Sequence, residues 1–320
     1  MKIEVQYDNQ TVLNPIVSSV VWSGDSKQAF RKLEVMLINT SNRKEKIMEI
    51  EEGKELRFLK EDKELFRGVV FSTSIDLNAR MKVVAYDENV YLTKNIETKK
   101  FVGKTASDIL KELCSDFGIP TGTITNTGYT IPKLILRHKT LWEMIQIALT
   151  ETTQHTGKKY MVSSKEGKVH LIDWKEEVAD WSLEEGINIL GVNHATSIKE
   201  MKNKVKVISG DEQKAALEVI EEDNSLSSKY GTMQYLQQVG MDQSQSAVKQ
   251  LAKKLLNQLG KVSQQTSMEA LGHEVVVAGT KIKVTASIPN VKGTYQVLSD
   301  RHTFQNNMHT MSITLTNETE

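Results

Sequence analysis

The chain has 320 residues, 39% of them hydrophobic, enough for real cores and more length than a single core usually supports, so about two to four domains are expected. Its 41 basic and 41 acidic residues cancel, which excludes a global electrostatic footprint for nucleic acid and with it specific nucleic-acid binding as a leading role. The apolar runs are a few residues long against the roughly 20 that cross a bilayer, and Met1-Lys2-Ile3-Glu4-Val5 enters a strand-like pattern without an apolar leader. No membrane anchor is expected, and synthesis and retention in the cytoplasm are.

Taken in chain order, residues 1–97 carry short alternating segments at 2–7, 17–22, 32–38, 55–59, 65–75 and 82–86, with no long helix among them. A polar loop at 39–46 is expected to be exposed. The pattern then changes. Thr105 precedes Asp108 at capping-box spacing, apolar residues at 106, 109, 110, 113 and 117 make one helical stripe, and Gly118 with Pro120 closes the helix. Thr140 and Glu143 repeat the box before a second helix with Leu141, Trp142, Ile145, Ala148 and Leu149 on one face. Lys165-Glu166-Gly167 lies between two alternating runs and reads as a hairpin turn. Residues 98–180 are therefore expected to be a small α/β domain. From 181 strands return at 187–192 and 204–210, a helix is expected over 242–260, opened by Asp242 and ended by Gly260, and strands resume from 263 to 316.

Two stretches share one pattern. Gly53-Lys54-Glu55-Leu56-Arg57-Phe58 is followed by Leu65-Phe66-Arg67-Gly68-Val69-Val70-Phe71 and Met81-Lys82-Val83-Val84-Ala85-Tyr86-Asp87. Gly279-Thr280-Lys281-Ile282-Lys283-Val284 is followed by Gly293-Thr294-Tyr295-Gln296-Val297-Leu298 and Met311-Ser312-Ile313-Thr314-Leu315. Alternating strands that recur after tight turns read as small closed barrels, since closure removes unpaired edges. The expected fold is α+β, mainly β: a tube-like barrel over 1–97, the α/β domain over 98–180, and a second tube-like barrel over 181–320 with the helix 242–260 inserted.

The chemistry-bearing residues form no catalytic constellation. Cys114, the single cysteine, excludes an intrachain disulfide and borders the apolar stripe of its helix, so a packed, inert thiol is expected. None of the seven histidines has the i, i+4 spacing of a helical zinc site; His302 and His309 can meet across a hairpin through Gln305-Asn306-Asn307, as a two-histidine ligand pair or as strand-face residues. His155-Thr156-Gly157-Lys158 is like the end of a phosphate loop, but Thr152 and Lys159 stand where the leading glycine and the magnesium-holding hydroxyl belong. The carboxylate pairs Glu51-Glu52, Glu176-Glu177, Glu184-Glu185 and Glu221-Glu222-Asp223 fall in polar turns and read as solvated faces. Trp142, Trp174 and Trp181 surround the middle domain; Trp142 falls on an apolar stripe, and Trp174 or Trp181 is the expected exposed ring if the domain binds sugars. No catalytic, cofactor-binding or metal-binding residue is assigned, and no cofactor is expected.

The runs Glu64-Leu65-Phe66-Arg67-Gly68-Val69-Val70-Phe71, Ala85-Tyr86-Asp87 with Tyr91-Leu92, Lys202-Asn203-Lys204-Val205, and Gly293-Thr294-Tyr295-Gln296-Val297 with His302 and Phe304 resemble the baseplate hub proteins of contractile phage tails and phage-tail-like bacteriocins. The PBSX-type prophage hubs, relatives of the late control protein D group, are the nearest in pattern, over nearly the whole chain. The resemblance implies a non-enzymatic structural role: a homotrimer, two tube-like barrels per subunit, adapting a sixfold tail tube to a threefold spike. It also implies contacts with the tube, spike, tape-measure and baseplate wedge proteins, and a place in a virion or bacteriocin baseplate assembled in the bacterial cytoplasm. The alternative of another class is a tail protein that binds or hydrolyses peptidoglycan.

Overall fold

The computed structural model describes residues 1–8, 11–40, 47–174, 178–210, 217–239 and 244–316. The expected alternating segments of the first third are strands β1 (Ile3–Tyr7), β2 (Thr11–Val12), β3 (Val17–Asp25), β4 (Lys32–Ile38), β5 (Glu55–Lys60), β6 (Lys63–Ile75) and β7 (Arg80–Tyr86). Their period of two decides which face is core. In β4, Leu33, Val35 and Leu37 are fully buried and lie opposite Ala85, Val83 and Met81 of β7, while the intervening Lys32, Glu34 and Lys82 face outward and pair with one another. The loop expected to be exposed at 39–46 begins instead on a fully buried Asn39, whose amide donates to the Met48 carbonyl (2.7 Å) and accepts from the Met48 N–H (3.1 Å); residues 41–46 lie outside the described residues.

A short helix α1 (Val90–Lys94) leads into the α/β segment: β8 (Ile96–Thr105), α2 (Ala106–Asp116), β9 (Thr121–Ile124), β10 (Thr130–Thr140), α3 (Leu141–Thr156), β11 (Tyr160–Lys165) and β12 (Lys168–Asp173). Both capping boxes form: Thr105 and Asp108, and Thr140 and Glu143, satisfy each other's backbone N–H groups at the starts of α2 and α3. Gly118 after α2 and Gly157 after α3 take positive φ, 64° and 70°. At the hairpin between β11 and β12, Glu166 and Gly167 both have positive φ, the geometry of a two-residue primed turn. One apolar core, built mainly by α2 and α3, holds this segment together and contains Cys114 and the fully buried Phe101, Leu110 and Leu113.

The remaining elements are β13 (Val178–Glu184), β14 (Ile189–Ser197), β15 (Lys204–Ser209), β16 (Leu217–Glu222), α4 (Asn224–Tyr230), β17 (Gln234–Val239), α5 (Gln245–Leu259), β18 (Ser263–Leu271), β19 (Lys281–Ala286), β20 (Val291–Gln305) and β21 (Met308–Thr316). The chain divides into two compact units, 1–192 with 267–320, and 193–266. The second is more than the expected strand and inserted helix. It has its own sheet, with β15 antiparallel to β16 and parallel to β17, and its own core, where Val248 and Ala252 of α5 meet Val205 and Val207 of β15. The alternation at 204–210 marks a half-buried strand but cannot say which sheet receives it, so that strand does not join the second barrel-like set. The helix described starts at Gln245, capped by the Ser244 hydroxyl accepting from the Ala247 N–H; Asp242 lies outside the described residues.

The strands of the first and last thirds form one 13-stranded sheet made of two sets with the same order. The first runs β3-β4-β7-β6-β5-β1 and the second β14-β18-β21-β20-β19-β13, so β1, β3, β4, β5, β6 and β7 correspond to β13, β14, β18, β19, β20 and β21. The shared glycine turn is the anchor. The Gly53 N–H donates to the Val70 carbonyl (2.8 Å) and the Val70 N–H to Lys54 (2.9 Å); in the second set Gly279 donates to Val297 (2.8 Å) and Val297 to Thr280 (2.8 Å). Both glycines have positive φ, 86° and 94°, and both long strands bulge at the next step, between Val70 and Ser72 and between Val297 and Ser299. The sets differ in the direction of the first strand: β1 is antiparallel to β5, whereas β13 is parallel to β19. Among the described residues no continuous ladder closes either set into a barrel.

Candidate functional site: the seam between the duplicated strand sets

The two sets meet where β20 pairs antiparallel with β3, from Ser299 opposite Asp25 to Gln305 opposite Ser19. Here β20 outruns its counterpart β6, and the extra length carries Phe304 into the core of the first set, fully buried with its ring 4.8 Å from that of Phe58. Loss of such an aromatic side chain typically costs about 3–5 kcal/mol, so the last segment of the chain completes the first core.

A polar network runs along the seam. Asp300, with no exposed side-chain surface, accepts from both terminal nitrogens of Arg31 (3.0 and 2.5 Å) and from the Ala278 N–H (2.7 Å). The Arg31 guanidinium lies 4.0 Å from the Trp22 ring centroid, so the buried carboxylate meets a charge held by a fork of hydrogen bonds and an aromatic face. Arg301 reaches Glu34 of β4 at 3.2 Å on the outer side. Burial alone would raise the Glu34 carboxyl, but Lys82 and Lys32 outweigh it and hold it below the usual range. Lys60 pairs with Glu274 at 2.6 Å; burial opposes ionisation there too, yet the lysine holds Glu274 down to about 2.

The sequence reading brings His302 and His309 together, and they do meet. The ring nitrogens Nδ1 of His302 and Nε2 of His309 are 3.0 Å apart, and Nε2 of His302 is 2.9 Å from the Val276 carbonyl. A carbonyl only accepts, so Nε2 of His302 carries the proton, Nδ1 accepts, and His309 donates from Nε2. Nδ1 of His309 is buried without a protein partner, as are Nε1 of Trp22 and Nε of Arg31. His309 stacks on Phe304 at 4.0 Å, and a Cβ at Gly272 would collide with its ring. Burial holds both histidines below their ordinary range, His309 down to about 3, so the pair is neutral near pH 7. No group of three or more metal-ligating side chains occurs among the described residues.

The other sequence candidates take structural places. Cys114 is fully buried, and desolvation pushes its thiol up to about 11. His155-Thr156-Gly157-Lys158 ends α3 instead of preceding a helix, so its backbone offers carbonyls where a phosphate needs N–H groups. His155 stacks on Tyr129. Glu52 accepts from Thr73, Glu185 from the Ser287 N–H, Glu222 pairs with Lys204, and Asp223 caps α4; Glu176 and Glu177 lie outside the described residues. The expectation of an exposed tryptophan is corrected. Trp142, Trp174 and Trp181 are all half-buried, Trp142 against the middle core, Trp174 donating to the Gly279 carbonyl (3.3 Å), and Trp181 stacked on His273 at 4.3 Å.

Sequence reasoning missed that asparagines act as pieces of backbone, among them Asn39 on Met48 and three that reach two residues each. Asn14, in the 3-10 turn before β3, donates from Nδ2 to the Ile3 carbonyl and accepts on Oδ1 from the Val5 N–H, both on β1. Asn188, immediately before β14, does the same to Ser182 and Glu184 of β13, and the fully buried Asn203 to Gly231 and Met233. A side-chain amide presents the donor and acceptor of a peptide group, so each residue supplies the two hydrogen bonds that a neighbouring strand would. Asn14 and Asn188 span equivalent gaps in the two sets. The motif has no fixed sequence spacing, which is why it could not be read in advance.

The family described as YQBQ-like matches residues 20–316. The chain is 34% identical over 303 residues to YqbQ of Bacillus subtilis (strain 168), covering 94% of this chain and 92% of that protein. It is 33% identical over 303 residues, with the same coverage, to XkdQ of the phage-like element PBSX in the same organism. Among solved structures, the 43 kDa tail protein of prophage MuSo2 from Shewanella oneidensis has the same fold, with a TM-score of 0.72 over 99% of this chain and 98% of that one, at 12% identity. With 297 residues inside the family match and two relatives above 30% identity across nearly their whole length, the chain belongs to the YQBQ-like family.

Proposed function

We propose that the chain is a structural component of a phage-type tail, and specifically the baseplate hub. In this reading three subunits form a ring that adapts the sixfold tail tube above to a threefold spike below. The observation that carries it is the duplication: one chain holds two strand sets of identical order, anchored by the same Gly53 and Gly279 turn. A subunit that supplies two equivalent parts lets a threefold object present six, which is what joining the two symmetries requires. Strands of 1–97, and those of 181–320 outside the separate β15–β17 sheet, then supply the two tube-like barrels, and 98–180 the domain between them. The gaps spanned by Asn14 and Asn188 are where each barrel would close.

The prophage relative XkdQ and the shared fold of the MuSo2 tail protein support the tail reading. In that setting the partners are a second and third copy, the tube and spike proteins, and the tape-measure and wedge proteins, and the chain resides in the baseplate. The non-enzymatic reading is supported by the sites themselves: the buried thiol, the neutral histidine pair and the hydrogen-bonded or ion-paired carboxylates serve the fold. The test is the number and position of subunits in native particles. A clearing zone from the purified chain on a peptidoglycan gel would favour the hydrolase instead.

A further inference from the structure

The sequence of pairings within the chain leaves two strand edges open that correspond to the two edges already joined. The seam uses β20 from Ser299 onward and β3. The counterpart of β20 is β6, and Ser72 stands where Ser299 does: each follows the bulge, Ser72 lies opposite Val84 and Ser299 opposite Thr314, and three residues later Ile75 and His302 both face a methionine, Met81 and Met311. The counterpart of β3 is β14, which follows the bridging Asn188 as β3 follows Asn14. Among the described residues, 72–75 of β6 have a strand on one side only, β7. β14 ends the sheet order, and among the described residues its outer side is bridged only between Glu185 and Ile189.

Open edges in soluble proteins are ordinarily blunted by lysine, other charges or proline. Neither segment contains any of these itself; the charge beside them is Glu52, whose carboxylate accepts from the Thr73 hydroxyl of β6 (2.8 Å) and has to yield that place to an incoming strand. The end of β6 reads Val69-Val70-Phe71-Ser72-Thr73-Ser74-Ile75, and β14 reads Ile189-Leu190-Gly191-Val192-Asn193-His194-Ala195-Thr196-Ser197. Apolar side chains stand exposed beside each: Ile75 (47%) and Leu77 (106%) on one, Ile187 (69%) and Leu190 (59%) on the other. The internal seam is fixed by the Arg31–Asp300 pair, whereas Thr73, bonded to Glu52, occupies the Asp300 position on the free edge, so an external seam would lack that buried ion pair.

We propose that residues 72–75 of β6 pair edge to edge with β14 of a second copy of this chain, repeating between copies the β20–β3 seam within it. The contact is head-to-tail, so it propagates from copy to copy and closes only as a ring, with internal and external seams alternating. It rests on the hub reading for the number of copies in that ring, and not for the identity of the edges.

The test is disulfide cross-linking of the full chain in intact particles. Ser74→Cys is combined in turn with Asn193→Cys, Ala195→Cys and Ser197→Cys, which project from one face of β14. Cys114 is fully buried and stays in place. Mild oxidation is expected to give covalent species of two and three chains with one of the three partners and none with Ser74→Cys alone; absence of such species with all three overturns the proposal. As a second arm, Ser72→Lys charges the free edge at an exposed site. It is expected to leave the melting temperature of the isolated chain unchanged while lowering the yield of particles at least tenfold, and an unchanged yield contradicts the pairing. Three copies between tube and spike without cross-links would sink the seam and leave the hub. Cross-links in a particle with six or more copies along the tube would do the reverse.

Discussion

Asp300→Ala should be among the most damaging single substitutions in the chain. The carboxylate is fully buried and accepts from Arg31 twice and from the Ala278 N–H, so truncation strands a guanidinium and a backbone donor together. Removing one partner of a buried ion pair ordinarily costs about 3–5 kcal/mol. The Arg31 side chain keeps 23% of its surface exposed and rests on Trp22, which lets water recover part of the loss, so the expected cost is about 3 kcal/mol. The companion double variant Arg31→Met with Asp300→Leu removes both charges and should recover most of that loss, since a buried pair replaced by apolar groups of similar volume is often neutral. The assay is urea unfolding of the native chain, Asp300→Ala and the double variant, followed by tryptophan fluorescence, with Trp22 in the first strand set and Trp181 in the second. A loss below about 1 kcal/mol for Asp300→Ala, or a double variant as unstable as the single, would show that the pair does not hold the seam.

Further expectations concern the same architecture. His302 and His309 are held below their unfolded range, so the unfolded chain binds more protons between about pH 6.5 and the folded value of about 3 for His309. Their contribution is complete above pH 6.5 and is lost as pH falls through that window; His309→Gln should flatten the acid limb of the stability curve, and an unchanged slope would refute the assignment. Asp87, raised to about 7 by burial, works in the opposite sense, so Asp87→Asn should remove a loss of stability otherwise seen as pH rises from about 4 to 7. Gly293 has φ 137°, and an added Cβ meets only Tyr295 at 3.9 Å, so Gly293→Val should cost about 1–3 kcal/mol through backbone strain; an unchanged melting temperature would contradict this. Asn203→Ala leaves the Gly231 carbonyl and the Met233 N–H unpaired and should cost about 1–3 kcal/mol, read as faster proteolysis within 193–266.

What could be read in advance was local. Thr105 with Asp108 and Thr140 with Glu143 announce helix starts because the cap is made within four residues, and Gly53 and Gly279 announce equivalent turns because both need positive φ. His302 and His309 were legible as a pair because Asn306 and Asn307 turn the hairpin tightly, with φ 50° and 62°. Arg31 and Asp300 are 269 positions apart and carry no local signature, so nothing in the sequence pointed to the seam. The unit over 193–266 reads as part of the second barrel, one strand and an inserted helix, because β15 alternates like its neighbours and differs only in its partners. The tryptophans misled for a related reason: whether a ring outside an apolar stripe is covered depends on Gly279 and His273, which lie about 100 residues away in the chain.

The most direct test of the central claim is to count and place this chain in native particles by electron microscopy combined with quantitative mass spectrometry against the tube protein. The hub account predicts three copies per particle, in one ring between the end of the tube and the spike, with both strand sets of each chain facing the channel. Six or more copies distributed along the tube, or a single copy on the spike axis, would contradict it.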